Sequence, residues 1–331
     1  MNLPLSDRDR LKNLAERIAR LAAQPSMEER LRAWHRHHRL ESGRPLLLIW
    51  PEGSWNELVP PERFQCTGEW GRRVEREFLR TLYTAEHWDT DQPVLAEFRV
   101  PPAVRETGWG LEAEHEHSRD AGGAWRFQPV LKDRKDLEQL RVPRVEYDAD
   151  ATRERLAFFE DLFGDLLDVR PDGCFPGNVH MMRQFTELHG LSETMMDMAA
   201  DPEFVHEAMQ GLTEGHLERI RQYRELGLLG FNHDRRRVAS GGTGYTDLLP
   251  RPGAEAGRLA PADQWGNAEA QELAQVSPEM HDEFALQYEA RLMEPFGLVS
   301  YGCCEDLTRK LPYLFRRFPR LRRVSVCPWA D

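Results

Sequence analysis

From Arg44 onward, short apolar runs alternate with helical stretches, and no Asn-Gly or similar tight turn joins one run to the next. That alternation constrains the fold more than any other feature, because strands joined through helices pair in parallel. The first run, Arg44-Pro-Leu-Leu-Leu-Ile-Trp-Pro-Glu52, is continuously apolar, as a strand buried on both faces would be. Residues 94–100, 167–171, 227–233, 262–267, 298–301 and 323–327 are the further strand candidates. Helical stretches fall at 133–140, 152–166, 204–226, from Ser277 to residue 293, and at 307–315. The expected fold is α/β, a (β/α)8 TIM barrel over 44–331 with a helical extension at 1–43. Seven strand candidates leave it one short. A buried-type strand ending the chain at an open edge predicts that the closing strand and helix are missing.

The extension reads as two helices, with Leu11, Leu14, Ile18 and Leu21 at three- and four-residue spacing before Gln24-Pro-Ser. Asp201-Pro202 supplies an Asp cap and a proline at the first helical position, and Val205, Met209, Leu212, Leu217 and Ile220 form the predicted buried stripe beyond it. With 44 basic and 56 acidic residues the net charge is −12, which disfavours the positive footprint of a nucleic-acid binder. Mean hydropathy is −0.65. No apolar run has a membrane helix's length and the N-terminus has no signal-peptide core, so a cytoplasmic protein without a membrane partner is expected. Five cysteines, an odd number, argue against a disulfide framework.

If the sheet is parallel, its chemistry belongs at the carboxyl ends of the strands. Cys303, Cys304 and Glu305 follow residues 298–301 there, and Cys327 ends the next candidate strand. Successive strand-end side chains diverge, so one of Cys303 and Cys304 is expected to pack rather than share an ion with its neighbour. Glu52, His233 and Asp247 stand at other strand ends and loops as acid–base candidates. Trp50, Trp55, Trp109, Tyr245, Trp265 and Tyr301 are the candidate substrate-binding set, placed to line a pocket for a small molecule. His35, His37 and His38 sit among arginines that oppose a cation, and read as a solvated face. His115 and His117 lie in an acidic excursion with no third ligand near in sequence. Ser240-Gly-Gly-Thr-Gly-Tyr-Thr-Asp247 is glycine-rich, yet no Gly-Lys-Ser/Thr closes it as in a phosphate loop.

The run His189-Gly-Leu-Ser-Glu-Thr-Met-Met-Asp-Met-Ala-Ala-Asp-Pro-Glu-Phe-Val-His206 resembles a segment of the uroporphyrinogen decarboxylase superfamily, as does Val-Ser-Pro-Glu-Met280. The likeness is diffuse and covers about residues 130–331. It implies the barrel and two kinds of enzyme. One is a zinc-dependent methyltransferase acting with a corrinoid protein or a folate; the other is a decarboxylase. In the methyltransferases a strand ends in His-x-Cys, and here Tyr301-Gly-Cys303 stands in that place, with Tyr301 departing from the histidine. The resemblance implies zinc on Cys303 and Cys327 with Glu305 or His233, activating a thiol or corrinoid acceptor for a methyl group. A corrinoid protein and a second copy of the chain are the implied partners. The alternatives are a metal-independent decarboxylase or lyase, and a barrel that only binds a ligand.

Overall fold

The computed structural model describes residues 3–117 and 125–331. The protein is mixed α/β. Its elements run α1 (Leu5–Ala22), α2 (Pro25–His38), α3 (Trp55–Leu58), α4 (Glu69–His87), β1 (Glu97–Val100), β2 (Ala103–Glu106), β3 (Glu114–His117), β4 (Trp125–Gln128), α5 (Arg134–Leu137), β5 (Val145–Asp148) and α6 (Ala149–Phe163). Then follow β6 (Asp168–Pro171), β7 (Asn178–Val179), α7 (Met181–His189), α8 (Leu191–Ala200), α9 (Pro202–Glu225), β8 (Trp265–Ala268), α10 (Pro278–His281), α11 (Gln287–Met293), β9 (Leu298–Tyr301), α12 (Leu311–Arg317) and β10 (Leu321–Val324). No described helix is long and apolar enough to cross a membrane.

The chain divides into two compact units. One comprises residues up to Ala103 with Asp148–Gly173 and Tyr245–Leu248; the other comprises Val104–Tyr147, Cys174–Gly244 and Leu249–Asp331. In the first unit, Leu11, Leu14 and Ile18 of α1 pack with Phe78 and Leu82 of α4 and with Phe159, Leu162 and Phe163 of α6. The apolar spacing read from the sequence is therefore the buried face of α1. Beneath it β1 pairs in parallel with β6, Glu97 opposite Asp168. Cys66 is buried there beside Glu75, which pushes its thiol up to about 12, burial being the larger cause.

The expected strand at 44–52 does not form. Pro45 and Pro51 bring no backbone N–H, and Leu47 exchanges its hydrogen bonds with Asp91, donating to Oδ2 at 2.8 Å and accepting from the Asp91 backbone at 2.9 Å. Leu47 is 52% exposed, so the apolar run is not buried on both faces. Residues 227–233 contribute only one parallel bridge, Leu229 with Cys174. The excursion carrying His115 and His117 is an antiparallel ladder of β3 with β4; residues 118–124 lie outside the described residues.

The second unit is built on a four-stranded parallel sheet in the order β10-β9-β8-β7. Val205, Met209, Leu212 and Ile220 of α9 bury against Met181, Met182 and Phe185 of α7, and Leu217 packs at the rim of that core. Asp201 caps α9 by accepting from the Phe204 N–H at 3.2 Å. Arg134 holds the same carboxylate through both terminal nitrogens, at 2.7 and 2.8 Å. Phe296, in the turn between α11 and β9, packs directly on backbone: a Cβ at Gly177 would fall 2.1 Å from its ring, and one at Gly266 in β8 2.7 Å from it. Only glycine leaves room for that approach.

Candidate functional site

Register puts Asn178, Asn267, Ser300 and Arg323 in one row across the four strands. Side chains alternate along a strand, so this row and the residues two positions on share one face of the sheet, while Val179, Ala268, Tyr301 and Val324 share the other. The hydrogen bonds agree. Asn267 Nδ2 donates to Asn178 Oδ1 at 3.1 Å, and Arg323 Nε donates to Ser300 Oγ at 3.2 Å. Two residues on from Asn178 and Asn267, beyond the strand ends, stand His180 and Glu269.

His180 Nδ1 lies 2.6 Å from Glu269 Oε1. Glu269 is 1% exposed, and its other oxygen accepts from the Gln271 N–H at 3.2 Å. The His180 side chain is 37% exposed. A buried carboxylate on Nδ1 fixes the tautomer and leaves Nε2 as the ring nitrogen free to take or give a proton. Asn267 is 1% exposed, and its Oδ1 has no hydrogen-bond partner among the described residues. Asn178, opposite it, is exposed. The same face carries positive charge. Arg323 lies 5.0 Å over the Trp265 ring and donates to the Thr243 carbonyl at 2.7 Å. Burial lowers its pKa to about 10, so the guanidinium remains charged at neutral pH.

On the opposite face, Tyr301 is fully buried against the helices and is not a pocket residue. Its hydroxyl donates to Glu289 Oε2 at 2.8 Å and lies 2.9 Å from His281 Nε2. Glu305 is turned inward as well, 3.2 Å from Lys310 Nζ and 3.6 Å from His281 Nδ1. The two-residue period of the strand explains the position of Tyr301. Tyr301 follows Ser300, whose side chain faces the polar side, so Tyr301 has to face the helices.

The other predicted residues are scattered. Glu52 is exposed at the start of a short 3-10 turn with φ 49°, and Trp50 is half-buried; both are in the first unit. Trp55 is core there, 6.0 Å from the Tyr83 ring and 5.9 Å from that of Trp88. Tyr245, also in the first unit, is buried, with its carbonyl 2.6 Å from His38 Nδ1; Asp247 is held by Arg39, whose Nε donates to it at 2.9 Å. In the second unit His233 lies 5.5 Å from the Phe231 ring, and Trp109 packs on His216 at 4.7 Å. Trp265 alone of the aromatic set shares the polar face. Cys303 is half-buried and Cys327 buried. Among the described residues no three His, Cys, Asp or Glu side chains are grouped to hold a metal ion.

Glu272 extends the acidic character of this region. It lines a cavity of about 450 Å³ with Phe127, Arg183, Thr186, Glu187 and Gln271. Burial, and then the charge of Glu269, raise its pKa from 4.5 to about 7. A carboxyl group whose pKa is raised by folding adds stability that is fully present below its unfolded pKa and lost as pH rises through the folded value. Relative to Glu272→Gln, the wild-type chain is therefore expected to lose up to about 3 kcal/mol of unfolding free energy between pH 5 and 8. Urea titrations of both proteins across that range check it; parallel curves would refute the assignment.

His180 and Glu269 were not among the residues the sequence singled out. β7 spans only two residues, too short to read as a strand. A signal was nonetheless present in Trp265-Gly-Asn-Ala-Glu269, where polar and aromatic residues recur at every second position of an otherwise small-residue run. Compared with known proteins, the chain matches no family model, no curated sequence and no solved structure.

Proposed function

We propose that this chain is a metal-independent lyase of the decarboxylase type, acting on a small carboxylate-bearing substrate, with His180 as its proton donor. The observation that supports this reading is the 2.6 Å contact between His180 Nδ1 and the buried Glu269 carboxylate. Glu269 orients the ring by accepting from Nδ1–H, which leaves Nε2 to meet the substrate. The electron pair of the breaking bond stays on the substrate carbon, which takes the proton from Nε2. Carbon dioxide departs, and the imidazole regains a proton from solvent. Arg323 places a positive charge on the same sheet face, which favours an anionic substrate, and the exposed Asn178 amide, held by Asn267, offers a hydrogen bond to orient it. The fold we infer around these strands is the (β/α)8 barrel, in which carboxyl ends of strands carry the chemistry.

Methyl transfer to a thiol or a corrinoid protein is a second reading, favoured by the thiols of Cys303 and Cys304 just beyond β9. Zinc fits it poorly on the donors present: Glu305 is committed to Lys310, and the three implied ligands are not grouped. The two readings separate in one assay. A panel of small mono- and dicarboxylic acids is incubated with chelator-treated protein, and released carbon dioxide is measured. At least one acid is expected to turn over without metal. Carbon dioxide release from none, with zinc-dependent methylation of a thiol acceptor instead, would overturn the proposal.

A further inference from the structure

β9 ends at Tyr301, and Gly302 follows with φ 96°, a conformation that L side chains rarely adopt. The strand's alternation stops at that turn, so the two cysteines after it do not diverge as adjacent strand residues would. Their sulfur atoms come within 3.6 Å of each other. Cys303 is half-buried, with Sγ 3.0 Å from Ser240 Oγ, and Cys304 is exposed.

The spacing selects what the pair can hold. A disulfide needs its sulfurs at about 2.05 Å and its Cα atoms usually at 4.4–6.8 Å, whereas neighbouring Cα atoms across a trans peptide are only about 3.8 Å apart. An adjacent pair is therefore strained as a disulfide. Two thiolate bonds of about 2.3 Å meeting at one atom near the tetrahedral angle set their sulfurs roughly 3.7 Å apart. The observed separation matches this second geometry, a single atom bridging both sulfurs. A linear two-coordinate cation would need them about 4.6 Å apart, twice that bond length.

We propose that Cys303 and Cys304 form a bidentate dithiol site for a trivalent arsenical, R–As(III). Two arsenic–sulfur bonds form as the arsenic–oxygen bond of R–As=O breaks, and the two thiol protons leave with that oxygen as water. Arsenic remains trivalent throughout, so no oxidant or reductant takes part. The organic group fills the third valence, and no third protein ligand is required. Ser240 backs Cys303 from the glycine-rich segment and orients its sulfur toward Cys304. The site is independent of the proton transfer assigned to His180.

The probe is phenylarsine oxide added to the intact chain, read by whole-protein mass spectrometry. Wild-type protein is expected to take one phenylarsenic group that survives excess 2-mercaptoethanol and is removed by 2,3-dimercaptopropanol. Cys303→Ser and Cys304→Ser are each expected to weaken retention by about 10²-fold or more, the advantage of a second bond formed within one molecule. Cys327→Ser is expected to retain the group. Cys304 is exposed, so its serine variant tests the pair without disturbing a core. Release from the wild type by the monothiol, or equal retention by Cys304→Ser, would overturn the assignment.

Discussion

Replacing Lys310 with methionine is expected to lower the unfolding free energy by about 3–5 kcal/mol, the usual cost of stranding one partner of a buried ion pair. Glu305 is wholly buried in its side chain and Lys310 nearly so, and they meet at 3.2 Å. Lys310 Nζ also donates to the Leu273 carbonyl at 3.0 Å. The surrounding groups cannot replace the lost charge. Burial, and then the charge of Lys310, lower the His281 pKa to about 3, so its imidazole is neutral. Burial pushes the pKa of the Glu289 carboxyl well above its usual range, disfavouring its charged form. Within this group Glu305 and Lys310 are the charged pair, and methionine at 310 leaves a carboxylate facing apolar surroundings. Pairing Lys310→Met with Glu305→Gln is expected to recover most of the loss. Urea unfolding of the two variants measures both effects; a loss below about 1 kcal/mol in the single variant would show that Glu305 simply takes up a proton.

The second large effect follows from the proposed lyase reaction. His180→Asn is expected to lower kcat by about 10²–10⁴-fold, the range for removing a positioned proton donor, with little change in KM. Glu269→Gln is expected to cost about 10²-fold. A neutral amide does not enforce the tautomer with Nδ1 protonated. Loss of kcat at constant KM distinguishes chemistry from binding, because a group that only held substrate would raise KM instead. Asn178→Ala, which alters the accessible amide next to the pair, is expected to act mainly on KM.

Helices were legible where local rules decide them. The spacing of Leu11, Leu14 and Ile18 and the Asp201-Pro202 cap both lie at helix positions the structure shows. The run at 44–52 misled because an apolar composition says nothing about a pairing partner. Two prolines lack the N–H a neighbouring strand would need, and Asp91 takes up both backbone groups of Leu47. Tyr301 misled for a different reason. Its place in a motif was readable, but the face it occupies depends on the register of β9 against β8, and no stretch of β9 alone contains that information. His180 and Glu269 lie 89 residues apart in the chain and meet only through the pairing of β7 with β8. The cysteines show the converse. Alternation predicted that Cys303 and Cys304 would splay, and the positive φ of Gly302 cancels the alternation.

The proposed proton delivery by His180, backed by Glu269, accompanies the departure of carbon dioxide. It is tested most directly by following carbon dioxide release from an accepted acid by chelator-treated wild-type and His180→Asn protein in deuterated water. Metal-independent release by the wild type is expected, with one deuterium at the carbon that lost its carboxylate, and release at least about 10²-fold slower from the variant. Equal rates for the two proteins, or wild-type release abolished by the chelator, would contradict it.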